Sequence, residues 1–184
     1  TVHLFRQPSG RWVGLDTRNP PPGSNAALSD TPAYRLLPLA ALPAHALMLL
    51  WAAPTAVTLA AQSPLGAVGL CLSVGIVGGA IGITYAHELI HKPTGLERNA
   101  GGILLALVAY GGFKVEHVYG HHVDVATPRD TSTARLGQSA YAFLLRSLLL
   151  NPVRAWQLAG ARLRTRGLPA WHWRNEMYLW HGLT

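Results

Sequence analysis

From Leu36 to His87 the chain carries no Asp, Glu, Lys or Arg, an uncharged run of 52 residues. No other feature restricts the fold so severely. A membrane crossing takes about 20 apolar residues as a helix, so the run holds two crossings and a tight turn, which the polar Gln62-Ser63-Pro64 supplies. Lipid offers no partner for backbone N–H and C=O groups, and an uncharged run of this length therefore goes helical. Charged residues make up only 12% of the chain, against about 25% in soluble domains. The expected fold is an all-α integral membrane protein, a helical hairpin of two transmembrane spans followed by cytoplasmic or interfacial helices that carry the histidines.

The organisation follows from the same reading, as a single domain over residues 1–184. Residues 1–35 read as an irregular cytoplasmic arm, because Asn19-Pro20-Pro21-Pro22-Gly23 holds neither helix nor strand. Residues 36–86 hold the two spans, Leu36 to Ala61 and Pro64 to Tyr85. Gly78 and Gly82 form a small-xxx-small pair that lets helices approach closely. Residues 87–126 carry the histidine groups. Between those groups, Ala100 to Phe113 is apolar but only 14 residues, about 21 Å as a helix against a core of about 30 Å. It is expected to be interfacial or re-entrant, leaving both histidine groups on one face. Thr127-Pro128-Arg129-Asp130 has the form of a helix start. It opens residues 127–174, where Tyr141–Leu150 and Val153–Leu163 read as amphipathic surface helices. Residues 175–184 read as the start of a further span.

The net charge of +7 does not imply nucleic acid. Arg6, Arg11, Arg18 and Arg35 precede the uncharged run, arginines from Arg135 to Arg174 follow it, and the turn between the spans has none. This is the asymmetry of a hairpin whose two flanks stay in the cytoplasm. The lone Cys71 excludes an internal disulfide and a thiolate zinc cluster, and reads as a packing residue in the second span.

Five of the nine histidines fall within residues 87–122. His87 and His91 stand four apart at the end of a helix, on one face. His117 and His121 repeat that spacing, with His122 beside them. An adjacent pair such as His121 and His122 is turned about 100° apart and suits two metals rather than one. Neutral imidazoles suit iron, zinc or copper. His3, His45, His172 and His181 are isolated and read as hydrogen-bonded packing residues. His87-Glu88-Leu89-Ile90-His91 also fits H-E-x-x-H, in which Glu88 would be the general base of a membrane zinc metalloprotease. That reading leaves the second histidine group surplus. A degenerate metal-binding membrane protein is the third alternative.

HELIHK, and then EHVYGHHVDVATPRDTSTARLGQSAYAF beginning at Glu116, resemble the first two histidine boxes of the membrane-bound alkane 1-monooxygenases. DTRNPP and WRNE extend the resemblance from about Leu15 to Glu176. These enzymes stand with the fatty acid desaturases and xylene monooxygenases. The resemblance implies a non-haem site of two iron ions held by His87, His91, His117, His121 and His122, facing the cytoplasm from a bacterial inner membrane. Glu88 and Glu116 would stand behind the ligands and orient imidazole N–H groups. It also implies n-alkane and O₂ as substrates, a primary alcohol as product, and electrons from NAD(P)H through rubredoxin reductase and rubredoxin. That family carries a third histidine box, H-x-x-H-H, which His172 and His181 do not form. The chain is thus expected to be part of a longer enzyme and inactive alone.

Overall fold

A computed structural model describes residues 2–6, 12–16 and 32–184. The chain divides into two compact units, Thr1–Leu37 and Pro38–Thr184. In the first, strands β1 (Val2–Arg6) and β2 (Trp12–Asp16) pair antiparallel, with Val2 opposite Asp16 and Arg6 opposite Trp12. The arm is therefore not irregular over these residues. VHLFR and WVGLD are rich in β-branched, aromatic and other apolar residues that favour extended chain, a signal outweighed in the sequence by the proline run. Asn19–Gly23, on which the irregular reading rested, lies outside the described residues.

Beyond Leu37 every described element is helical. Helix α1 spans Pro32–Gln62 and includes Pro38, Pro43 and Pro54 without interruption. Ser63 then closes the turn, its hydroxyl accepting the Gly66 N–H at 3.2 Å and its successor Pro64 opening the next helix. That helix runs as α2 (Pro64–Val77), a π-helical turn (Gly78–Gly82) and α3 (Ile83–Ile90). The two stretches Tyr34–Gln62 and Pro64–Ile90 are long and apolar enough to cross a membrane, and most of each lies exposed. Large apolar side chains such as Leu50, Val57, Leu65 and Ile76 face outward, as they do where lipid rather than water is the surrounding medium.

The short apolar segment folds as a helical hairpin. Helix α4 (Gly95–Leu107) is capped by Thr94, whose hydroxyl accepts the Glu97 N–H at 3.3 Å. It packs back along α3, burying Ala86 and Ile90 against Leu104 and Leu105. Contact is close because Gly101 lies against the Ala86 carbonyl and Ile90, where a Cβ would come within 2.9 Å of both. At its far end Val108 reaches the level of Gly78 and Gly82, deep beside the second span, where a Cβ on Gly82 would meet Val108 at 2.9 Å. The chain turns through Ala109, held at φ 58°, and returns as α5 (Phe113–Glu116), a second π-helical turn (His117–His121) and α6 (His122–Asp124).

The expected helix start at Thr127 is instead a loop, and helix α7 begins at Ala140 and runs to Arg164, capped by Ser139. The capping groups are engaged elsewhere. Thr127 Oγ1 donates to the Asp124 carbonyl, and Asp130 Oδ1 accepts the Ser132 N–H at 2.8 Å. The two amphipathic stretches are one helix, passing through Pro152. Helix α8 (Glu176–Gly182) follows, capped by Asn175, with Met177 and Trp180 buried against Val115 and Ala155. Helices α5, α7 and α8 thus share one core beneath the second histidine group.

Candidate metal centre

The end of α3 and the returning π-helical turn bring four imidazoles together. One ring nitrogen from each of His87, His91, His117 and His122 lies within 4.8 Å of all the others. His87 and His91 meet through their four-residue helical spacing, with ring centroids 4.8 Å apart. The second pair forms differently. The π turn inserts an extra residue into the helical repeat, so His117 pairs with His122, five residues on, at 2.9 Å between Nε2 atoms. His87 and His117 close the set at 4.6 Å between ring centroids.

The fifth histidine takes another role in this geometry. His121 Nδ1 lies 2.8 Å from Asp130 Oδ2, whose side chain is fully buried. Burial pushes the Asp130 carboxyl up, but hydrogen bonds from Thr133, the Ser132 N–H and His121 outweigh it and hold it below its usual range. An ionised carboxylate only accepts, so His121 Nδ1 carries a proton, and Nε2 is the ring nitrogen left for a metal. The His121 ring stacks over His117 at 5.3 Å.

The two glutamates stand away from the imidazoles. Glu88 pairs with Lys92 at 2.7 Å, with its own side chain 54% exposed. Glu116 is fully buried and accepts from Thr131 Oγ1 at 3.1 Å and Ser132 Oγ at 3.3 Å. The carboxylate that orients an imidazole is Asp130, which the sequence suggested only as a helix-start acid. The sequence also missed the wall behind His117. Phe113 stacks on His117 at 4.7 Å and Tyr110 on Phe113 at 5.0 Å. Asn151 Nδ2 ties Tyr110 Oη, at 2.9 Å, to Ser132 Oγ, at 3.2 Å, and so to Glu116. Phe113 and Tyr110 stand four and seven residues before His117, a helical spacing that could have linked them to it, whereas Ser132 and Asn151 carry no such signal.

The electrostatics suit metal ligation. Burial, then His87, His122, His91 and His121, hold His117 down at about 3. Burial first, followed by His87 and His122, likewise lowers His91 against an opposing pull from Glu88. His122 is lowered by burial, His121 and His87. These imidazoles are neutral at physiological pH, the form that binds metal. Imidazole nitrogens sit about 2.0–2.1 Å from a metal, so ligands of one ion lie within about 4.2 Å of one another. The observed 4.8 Å limit needs only small rotamer changes, and the four donors fit one ion. The set is all nitrogen, with His87, His91 and His122 exposed and His117 buried.

Two apolar cavities approach the centre. One of about 430 Å³ lies between α1 and α2, lined by Ala52, Ala56, Val74 and Gly75 among others, and ends at His45, Gly78 and Val108. Cys71 lines it as an exposed thiol rather than a packed one. The second, about 380 Å³, shares Ile83 and Val108 with the first and runs to Phe113, Phe143 and Leu148.

An apolar helical hairpin capped by clustered imidazoles defines a membrane protein with a candidate metal centre. The chain belongs to the fatty acid desaturase family, whose model matches residues 62–184. Within that family it is similar to alkane 1-monooxygenase 2 of Pseudomonas aeruginosa, 49% identical over 173 residues, which are 94% of this chain and 46% of the relative. Alkane 1-monooxygenase 1 of the same organism is 52% identical over 151 residues, 82% of this chain and 40% of the relative. The hydroxylase component of xylene/toluene monooxygenase from Pseudomonas putida is 27% identical over 117 residues, 64% and 32% respectively. The chain thus spans less than half the length of the relatives it matches.

Proposed function

We propose that this chain is the histidine-bearing part of a non-haem di-iron monooxygenase. The enzyme would hydroxylate the terminal carbon of n-alkanes to primary alcohols in a bacterial inner membrane, with its metal site facing the cytoplasm. Rubredoxin and its reductase would deliver the electrons. The observation that carries this reading is the closure of His87, His91, His117 and His122 into one donor set at the end of an apolar hairpin. Similarity to alkane 1-monooxygenases supports the substrate class.

In this reading the four clustered imidazoles hold one iron, and His121 offers Nε2 toward the second while Asp130 fixes its ring. Iron, when bound, supplies the reduction of O₂ and the oxidation of an unactivated C–H bond, one oxygen atom entering the alkane and the other leaving as water. The chain's own groups do the positioning. Phe113 backs His117 and excludes water from that side, and the cavity bounded by Ile83, Val108 and Phe113 offers an alkane only dispersion and desolvation. A hydrolytic role for Glu88 gains no support, since its carboxylate is directed to Lys92.

Metal analysis of the protein purified in mild detergent tests the proposal. Iron is expected, with zinc low. Zinc without iron, or a folded protein that takes up no iron, overturns it.

A further inference from the structure

His45 lies near the middle of α1, on the first membrane-crossing stretch, and only 7% of it is exposed. Its imidazole rests on the two glycines of the small-xxx-small pair. A Cβ on Gly78 would meet its Cε1 at 3.2 Å, and one on Gly82 would meet it at 3.6 Å. The sequence reading made it a hydrogen-bonded packing residue, yet it makes no hydrogen bond among the described residues. Instead it lines the end of the 430 Å³ cavity between α1 and α2. The other lining groups are aliphatic side chains, glycines and the Cys71 thiol.

A neutral imidazole has one donor and one acceptor, and leaving them unmet in an apolar medium is costly. Lipid tails and alkanes do not satisfy them. A hydroxyl or carboxyl group does. From His45 to Ala56 the cavity follows α1 for about 16 Å, room for a medium-length alkyl chain laid along the helix with its oxygen at the imidazole. Gly75 and Gly79 leave open space along the same wall.

We propose that this cavity binds an alkyl chain bearing a terminal oxygen, a primary alcohol or a fatty acid, with His45 as its hydrogen-bonding partner. The polar end sits beside Gly78 and Gly82, roughly 7–14 Å along the helix from His87. The inference concerns binding alone. It does not rest on the proposed hydroxylation, although a primary alcohol is the product of that reaction.

Equilibrium binding to the protein in lipid nanodiscs tests it, with radiolabelled dodecan-1-ol as probe and affinities referred to the lipid concentration. Dodecane, dodecan-1-ol and dodecanoic acid serve as competitors. An oxygenated chain is expected to bind about tenfold more tightly than dodecane, the worth of one hydrogen bond to a buried polar group. His45→Leu should reduce that preference to less than about twofold, and His45→Gln should retain most of it. Gly75→Leu, whose Cβ would meet nothing within 4 Å on the cavity wall, should weaken binding of the oxygenated chain by about tenfold or more. Equal affinity for dodecane and both oxygenated chains overturns the proposal, as does a preference that survives His45→Leu or undiminished binding to Gly75→Leu. Tighter competition by the acid than by the alcohol assigns a membrane fatty acid as the occupant, and tighter competition by the alcohol assigns the alcohol.

Discussion

His121 Nδ1 and Asp130 Oδ2 lie 2.8 Å apart, joining the second histidine group to the loop that follows it. The buried carboxylate fixes the plane of the ring and holds a proton on Nδ1, so that Nε2 is the nitrogen left to ligate a metal. Asp130→Asn keeps the shape and removes the charge that holds this proton. It should weaken metal binding by about 10- to 100-fold while the helical content stays unchanged, as read by chelator competition and circular dichroism. Unchanged metal affinity would mean that His121 is not a ligand.

Glu88 makes the opposite prediction. Its pair with Lys92 is exposed at the glutamate end, though the lysine side chain is only 14% exposed, and pairs open to solvent contribute about 0–1 kcal/mol. Glu88→Gln should leave metal content and unfolding midpoint nearly unchanged, whereas His91→Ala should lose metal. A zinc hydrolase would lose its activity with the same Glu88 substitution. Peptidase activity in the wild type that disappears in Glu88→Gln would therefore reverse the functional reading.

The hairpin that opens with α4 depends on Gly101, where a Cβ would come within 2.9 Å of the Ala86 carbonyl oxygen and of Ile90. The carbonyl belongs to the backbone of α3, two turns or less from His87 and His91, and it cannot swing aside. Gly101→Ala should destabilise the protein by about 1–3 kcal/mol through overpacking, measured by denaturant titration in mixed micelles. A shift in metal content should accompany it, because α3 carries the first histidine pair. Gly95→Ala, whose Cβ would meet nothing within 4 Å, is the control and should be neutral or slightly stabilising.

How much of this was legible before the structure depends on the range of the interaction responsible. The uncharged run dictates helices by local physics, and α1 and the continuous stretch Pro64–Ile90 lie where it places them. The four-residue spacing of His87 and His91 is likewise local, and the rings meet as that spacing requires. His117 and His122 are a different case. An ordinary helix directs them apart, and they pair because a π turn intervenes, a backbone choice made by packing rather than by local preference. Asp130 looked like a helix-start acid because Thr-Pro-x-Asp has that form in isolation, yet His121, Ser132 and Thr133 compete for its oxygens and win. Tyr141–Leu150 and Val153–Leu163 read as two helices, but buried Asn151, Ala155 and Ala159 hold one helix across Pro152. His45 is isolated in the sequence, and its surroundings come from the opposite helix and the tip of the hairpin at Val108.

Glu116 supplies the last prediction, because it ties the histidine turn to α7 without touching an imidazole in this geometry. Burial raises its pKa, opposed by the Thr131 and Ser132 hydroxyls that donate to it. Ser132 in turn accepts from Asn151 on α7, and the Ser147 hydroxyl donates to the Thr131 carbonyl at 3.0 Å. Replacing Glu116 with Leu leaves both hydroxyl donors facing an apolar group, at a cost of about 1–3 kcal/mol. Glu116→Gln keeps an acceptor and the side-chain volume, so it should cost less than half as much. If the network positions the second histidine group, Glu116→Leu should also weaken metal binding, and Glu116→Gln should largely restore it. Thermal unfolding and metal titration of the two variants separate the effects: lost stability with unchanged metal affinity would assign Glu116 to packing alone.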